Sequence, residues 1–498
     1  MNLATAFAAV ADQRPQQPAI FWGDTQLTYA TLLDQTLCVA AYLRTALGVQ
    51  PGDRVGLWLK NRPEFVPALF GALRAGAVVV PINSFFKPDE VNYILADAGI
   101  EVLITEAAMG ELLPAVQAAR PGLRVWPVEQ LPELSQARAQ ASQFPDRTEA
   151  DLALLIYTSG TTGRPKGAML THGNLLHNVG SCRQVLAAVP HDRFAGVLPM
   201  FHSFMLTVNV LLPLLVGGSL VLVRSLHPPK NVIQEILQHG ATILPAVPAF
   251  FRVLLQAGLP AQQPLRICIS GGAPLPVQLL RQFNATMPVP LIEGYGLSEA
   301  SPVVSLNPIH GPWKEGSIGV PIPGVELSVQ DDNGNLLPPG VTGELCVRGG
   351  NVMVGYWNQP EETAKTLRNG WLLTGDLGYY DSDGYFYVTD RKKDLVIVNG
   401  LNVYPREIEE VIHQFPGVKE AAVVGVPDPR RGEQPVAFVA PVDGMRVDER
   451  ALLAFVREKV ADYKVPRRVH FLVSLPRNAS GKILKTVLRQ QAVPQAEA

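Results

Sequence analysis

Tyr157-Thr158-Ser159-Gly160-Thr161-Thr162-Gly163-Arg164-Pro165-Lys166-Gly167 is the stretch that governs the reading of this chain. It sets four hydroxyls, on Thr158, Ser159, Thr161 and Thr162, among Gly160, Gly163 and Gly167, with Arg164 and Lys166 beside them. Glycine lets main-chain N–H groups approach an anion closely, and hydroxyls add donors. The two cations supply charge. Asp151–Tyr157 ahead of the run reads as a buried strand, and Thr171–Leu186 behind it reads as a helix capped by Thr171. The pattern predicts a flexible loop between strand and helix that grips a polyphosphate. It is not a Walker loop, because the spacing differs and Pro165 precedes the lysine.

The rest of the chain sets the bounds. Its 498 residues exceed one ordinary domain, and 47% apolar content with both charge signs marks a globular protein. A net charge of −2 argues against wholesale nucleic-acid binding. Charge is unevenly spread. From Arg391 onward 18 Lys and Arg face 13 Asp and Glu, a net of +5 against −7 for the remainder. A small basic part closing on a larger acidic part suits two domains with an anionic cosubstrate at their seam. Cys38, Cys182, Cys268 and Cys346 are far apart and form no metal or redox motif, as expected of reduced thiols in a cytoplasmic protein. The N-terminal residues lack the pattern of a signal peptide. The longest apolar run, Val210 to Val223, is broken by Pro213, Gly217 and Gly218 and is too short to span a bilayer. The expectation is a soluble or at most peripheral protein.

Strand-like and helix-like segments alternate: Arg54–Leu59, Pro63–Ala75, Val78–Ile82, Pro88–Ala98 and Glu101–Thr105, then Ser219–Val223, Lys230–His239, Thr242–Leu244, Arg266–Ser270, Leu275–Phe283 and Pro290–Glu293. Such alternation predicts parallel sheets covered by helices, with ligands beyond the carboxyl ends of strands. Strand ends at Tyr157, Ser270 and Glu293 all run into Gly-rich loops and point to one site. Gly311 to Asp390 reads as mostly antiparallel β structure. After the charged connector Arg391-Lys392-Lys393-Asp394, the last stretch reads β, α, β, β, α, β.

Further motifs carry chemistry. In Gly271-Gly272-Ala273-Pro274 the glycines let a flat ligand lie against the backbone. In Glu293-Gly294-Tyr295-Gly296-Leu297-Ser298-Glu299, Tyr295 offers a stacking face, Ser298 a donor to phosphate and Glu299 a hard oxygen ligand for Mg²⁺. Thr374-Gly375-Asp376 places a carboxylate where it can accept two hydroxyl hydrogen bonds. Asn478-Ala479-Ser480-Gly481-Lys482-Ile483 puts a lysine after a Ser-Gly turn.

This ordered set resembles the adenylate-forming superfamily of acyl-CoA synthetases, adenylation domains and luciferases. The resemblance runs from about Thr28 to Leu488, and within it the chain is most like a medium- or long-chain fatty acyl-CoA synthetase. It implies an α/β fold: a large domain, 1–390, with helix-covered parallel sheets and a distorted β-barrel; a hinge, 391–393; and a small mobile α+β domain, 394–498. It implies ATP and Mg²⁺, with coenzyme A as a cosubstrate. In the nucleotide site it implies Ser159, Gly160, Thr161, Thr162, Gly163, Lys166, Gly271, Gly272, Ala273, Pro274, Glu293, Gly294, Tyr295, Gly296 and Ser298. Asp376 would hold the ribose, Arg391 the nucleotide and Lys393 the hinge, and Gly400 would leave room for the pantetheine arm. Glu299 and Thr158 would hold the metal. Thr158, Glu299, His202 and Lys482 would be catalytic, with Lys482 bridging the acid and the α-phosphate. Asn399 and Leu401 depart from the residues most common beside Gly400, and Ser298 stands where Thr is usual.

His202 and Phe201, within Leu198-Pro199-Met200-Phe201-His202-Ser203-Phe204, sit where the family places the gate to an acyl tunnel. Between Arg193 and Arg224 no residue carries a fixed charge. Phe201, Phe204, Met205, Leu206, Val208, Val210, Leu211 and Leu212 there suit an unbranched fatty acid. Alternatives are an aryl-CoA ligase, an acyl-AMP ligase that loads a carrier protein, and an inactive lipid-binding homologue. The reading leaves room for a homodimer.

Overall fold

The computed structural model describes residues 1–133, 144–158, 164–478 and 481–492. Two sheets dominate. In the nine-stranded sheet, Pro18–Trp22, Ser219–Leu222, Arg193–Gly196, Ile243–Ala246, Ile267–Ser270 and Leu291–Gly296 lie side by side and parallel. Antiparallel strands close both edges, Thr25–Thr28 on one side and Val303–Leu306 with Val320–Pro321 on the other. In the seven-stranded sheet, Leu152–Thr158, Val78–Pro81, Arg54–Leu57, Val102–Thr105 and Arg124–Pro127 are parallel.

Helices join the sheets into one core. Every residue from Phe65 to Leu73 in the helix Phe65–Arg74 is buried. A helix apolar all round needs cover on every side. Its neighbour Tyr29–Thr45 comes so close that a Cβ on Gly71 would lie 2.6 Å from Val39 Cβ, which only glycine avoids. Among the described residues no helix is long and apolar enough to cross a membrane.

The distorted barrel is a five-stranded antiparallel half-barrel sheet. Val325–Gln330, Gly343–Gly349, Trp371–Tyr380 and Leu367–Arg368 run in order, and Phe386–Arg391 pairs with Trp371–Tyr380. Beyond it, Leu401–Val403, Val396–Val398, Gly432–Pro441 and Val418–Asp428 form a second five-stranded sheet with Val469–Phe471. Alternation along Val418–Asp428 serves two faces. Ala421 and Val423 meet the helices Pro405–His413 and Glu449–Arg457, whereas Ala422 and Val424 meet the helix Lys485–Ala492.

Three sequence expectations change. The Gly-rich loop does not lead into a helix. It joins Leu152–Thr158 to the antiparallel strand Lys166–Thr171, from Thr158↔Lys166 to Leu152↔Thr171, and the helix His172–Val185 follows. Six residues after the loop were too few to show a period against the long helix behind them. The helix expected at Leu275 begins at Val277, because Pro276 is extended and the Leu275 N–H is taken by Glu293. The small domain opens with a hairpin, Val396–Val398 with Leu401–Val403, and ends in a helix that the β, α, β, β, α, β reading lacks.

Candidate active site

The strand ends at Thr158, Ser270 and Gly296 open on one cavity of about 800 Å³. Thr158, Lys166, His202, Gly271, Gly272, Gly294, Tyr295, Gly296, Ser298, Glu299, Arg391 and Lys482 all line it. Ser159, Gly160, Thr161, Thr162 and Gly163 lie outside the described residues, as do Ala479 and Ser480.

Glu299 sits in the single turn Ser298–Ala300, which ends at Ser301 with φ 72°. Its Oε1 accepts the Tyr356 hydroxyl at 2.9 Å and the Thr158 hydroxyl at 3.5 Å. Ser298 Oγ lies 2.9 Å from Ser203 Oγ, which ties the motif to the segment after His202. The Lys166 ammonium is buried, 2.5 Å from Glu362 Oε2 and 5.4 Å from the Tyr356 ring centre. The Tyr295 hydroxyl donates to Asp376 Oδ2 at 2.6 Å, and Arg391 Nε pairs with Asp376 Oδ1 at 2.9 Å. Burial, then the Asp376 charge, holds the Tyr295 phenol far above the ordinary tyrosine range. Asp376 itself is buried behind Thr374, Gly375 and Arg391, which line the cavity.

The small domain brings Lys482 to the opposite wall. Glu420 pairs with Arg477 at 2.6 Å and with Arg252 of the large domain at 3.5 Å. Glu410 accepts the Val277 N–H at 3.3 Å. The lysine's loop is pinned by Lys482 N–H donating to Asn478 Oδ1 and Asn478 N–H donating to the Lys482 carbonyl, both at 2.9 Å. Gly481 takes φ 83° in that turn. Burial and the Arg391 charge lower the Lys482 ammonium to about 8. Burial, aided by Lys482, lowers His202 to about 4, so its imidazole is neutral near pH 7.

Some expected residues stand elsewhere. Glu293 is buried away from the cavity lining, where it accepts the Leu275 N–H at 3.0 Å and shapes the Gly271–Leu275 turn. Burial raises its carboxyl to about 7. Its motif neighbours Gly294, Tyr295 and Gly296, at the end of the strand Leu291–Gly296, do line the cavity. Ala273 and Pro274 are likewise outside the lining, and Gly400 sits at the tip of the hairpin Val396–Val403 with φ 77°, away from the cavity. Of the expected acyl wall, Phe201, Phe204 and Val208 line the cavity. Met205, Leu206, Val210 and Leu211, in the π-helix Met205–Leu211, and Leu212, which opens the helix Leu212–Val216, are buried in the core outside its lining. Cys182 and Val185 of the helix His172–Val185 and its C-cap Leu186, with Ile269 and Leu306, complete an apolar arm instead. Burial pushes the Cys182 thiol up to about 12, so it serves as an apolar wall.

Tyr356, Glu362 and Ser203 escaped the sequence reading. Gly355–Tyr356 is a two-residue strand against Ala168 and Met169, and nothing local marks its hydroxyl as a partner of Glu299. Only the Pro360 helix start hinted at structure there.

One carboxylate beside a hydroxyl fits Mg²⁺, which takes one or two carboxylates and completes its shell with phosphate oxygens and water. Among the described residues no three His, Cys, Asp or Glu gather as a metal cluster. A magnesium ion here would therefore arrive with a polyphosphate.

A hydroxyl- and cation-lined nucleotide side, an apolar arm and a lysine delivered by a second domain define an adenylate-forming site. The AMP-binding enzyme family matches residues 7–357 and its C-terminal domain matches residues 407–482. The feruloyl-CoA synthase of an Amycolatopsis species is 40% identical over 488 residues, covering 97% of each chain. A long-chain-fatty-acid–CoA ligase of Bacillus subtilis is 37% identical over 96% of this chain and 92% of its own. ATP-bound MatB from Rhodopseudomonas palustris superposes with a TM-score of 0.92 at 35% identity over 99% of both chains, against 0.81 for its apo form. The chain belongs to the AMP-binding enzyme family, within the adenylate-forming superfamily.

Proposed function

We propose that the protein is a cytoplasmic acid–thiol ligase that converts a medium- or long-chain fatty acid to its CoA thioester in two steps. The acid's carboxylate oxygen attacks the α-phosphorus of ATP, and the bond to the β-phosphate oxygen breaks, giving acyl-adenylate and pyrophosphate. The CoA thiol then attacks the acyl carbon and AMP leaves. The observation that carries this reading is Lys482 facing Thr158, Ser298 and Glu299 across a cavity with an apolar arm. In the first step Lys482, Lys166 and the hydroxyls would meet charge building on the phosphate oxygens. Bound with ATP, Mg²⁺ would neutralise phosphate charge next to Glu299 and Thr158. Neutral His202 and Phe201 would border the acyl entrance without repelling or pairing with the carboxylate. Pyrophosphate release and AMP formation across a carboxylate panel, with and without CoA, test the proposal. Acid-independent or absent pyrophosphate release would overturn it.

A specific observation favours a second reading, an aryl acid. Ser270 Oγ is fully buried on the cavity wall and has no hydrogen-bond partner among the described atoms. It could donate to a phenol or methoxy oxygen, and the 40% identical relative is named a feruloyl-CoA synthase. Preference for ferulate over decanoate in the same panel would select this reading.

The Lys482 environment sets a pH dependence. Its ammonium is lowered to about 8, so the charged form is complete below that pH and is lost as pH rises through it. Specificity for ATP in the adenylation half-reaction, which reports the free enzyme, is expected to fall above about pH 8. The residual activity of Lys482→Ala should lack that alkaline limb.

The hinge gives a separate test. Lys393 lies in a turn closed by Asp394 and Leu395 N–H groups donating to the Arg391 carbonyl. Lys393→Pro fixes φ near −65°. Single-turnover adenylation should stay near the parent rate while CoA-dependent turnover falls by an order of magnitude or more. An equal fall in both would mean that Lys393 is not a pivot.

A further inference from the structure

At the rim of the cavity a single carboxylate holds two ammonium groups. Glu362 Oε2 lies 2.5 Å from Lys166 Nζ, and Glu362 Oε1 lies 2.7 Å from Lys365 Nζ. Lys166, Lys365 and Arg368 all line the cavity. Arg368 Nε donates to the Lys365 carbonyl at 3.1 Å, which keeps the two cations on one ridge. Lys166 first, then Lys365, lowers the Glu362 carboxyl to about 2. Lys166 follows the Gly-rich loop, but Lys365 and Arg368 come from the helix Pro360–Thr366 and the short strand after it. The loop motif contains neither.

Two ammonium groups share one carboxylate and Arg368 sits beside them on the Lys365 carbonyl, so the ridge presents more cations than its one bridging carboxylate neutralises. We propose that Lys365 and Arg368 extend the grip of Lys166 into a subsite for the outer phosphates of ATP and for the departing pyrophosphate. Glu362 serves there as the counter-ion that the lysines share until polyphosphate takes its place. A terminal phosphate offers three oxygens and more charge than one carboxylate, so it can engage both ammonium groups together. AMP carries no outer phosphate and should ignore the ridge. The inference rests on the adenylation reading, because only that chemistry puts a triphosphate in this cavity.

Direct binding of inorganic pyrophosphate, ATP and AMP to the full-length protein tests it, with Lys365→Glu, Lys365→Ala and Lys365→Arg. The Lys365 side chain is 65% exposed, so these changes should leave the thermal midpoint in place. Reversing a partly exposed charge should weaken pyrophosphate and ATP by roughly five- to tenfold, and deleting it by about threefold. Lys365→Arg should bind both like the parent, and AMP affinity should not change in any variant. Inhibition by added pyrophosphate should weaken in the same order. Unchanged pyrophosphate and ATP affinities in Lys365→Glu, or an equal loss for AMP, would overturn the subsite while the adenylation reading stands. A parent protein that binds neither ATP nor AMP would overturn both.

Discussion

Lys482→Ala is expected to slow acyl-adenylate formation on the order of 10²- to 10³-fold, the usual cost of removing one preorganised group from a developing oxyanion. Thioester formation from supplied acyl-adenylate should survive. The side chain is a half-buried cation on a loop pinned by Asn478, so its truncation leaves the backbone of the turn intact. Its charge matters while negative charge builds at phosphorus. In the proposed second step the bond to phosphate already exists, and the small domain would turn about Lys393 to admit the thiol. The docking contacts that hold Lys482 over the cavity include several polar ones: Glu420 with Arg252, Glu410 with the Val277 N–H, and Arg406 with the Asp390 carboxylate and the Val388 carbonyl. Such a surface suits an arrangement that is made and broken in each cycle. Pyrophosphate release and acyl-adenylate consumption, measured separately, decide the matter. Equal loss in both half-reactions would defeat the assignment of Lys482 to the first step alone.

Specificity, as kcat/KM, should rise steeply from butyrate to decanoate and then flatten. The arm beyond Phe204 is walled by Val208, Ile269, Leu306, Cys182 and Leu186, with no charged residue among them. Each buried methylene contributes about 0.8 kcal/mol, so six of them contribute roughly 5 kcal/mol, or ~10³-fold and more in specificity. The rise should stop where the chain meets the end of the arm. A preference for acetate, malonate or benzoate over decanoate would remove the fatty-acid assignment and leave the adenylation chemistry untouched. A preference for ferulate would point to the Ser270 hydroxyl as a recognition group, and Ser270→Ala should then erase it.

The parts of the site that were legible before folding share one property. Thr158, Lys166, Tyr295, Ser298, Glu299 and Lys482 each lie in a short motif where glycine, hydroxyl and charge sit side by side, and Arg391 lies in a run of charges; local compositions of that kind survive as a pattern in one dimension. Glu293 belonged to the same motif and misled because its partner lies elsewhere in the chain. Its carboxylate is taken by the Leu275 N–H, while Gly294, Tyr295 and Gly296 line the cavity. The acyl wall misled in a similar way. A run of apolar residues says that the segment is buried, but not which of them line the cavity.

By itself the sequence determined the class of fold and its large and small domains, and it marked most of the motifs that line the cavity. Alternating apolar periods and Gly-rich strand ends are local consequences of backbone geometry. Only the tertiary structure decided that the Gly-rich loop closes a hairpin, that Tyr356 holds Glu299 from 57 residues away and that Glu362 bridges Lys166 and Lys365. It also decided that Cys182 and Leu186 wall the apolar arm of the cavity. The physical reason is that these are pairings between distant segments. They depend on which strand lies beside which and which face a helix turns inward, and both are set by packing the whole core at once.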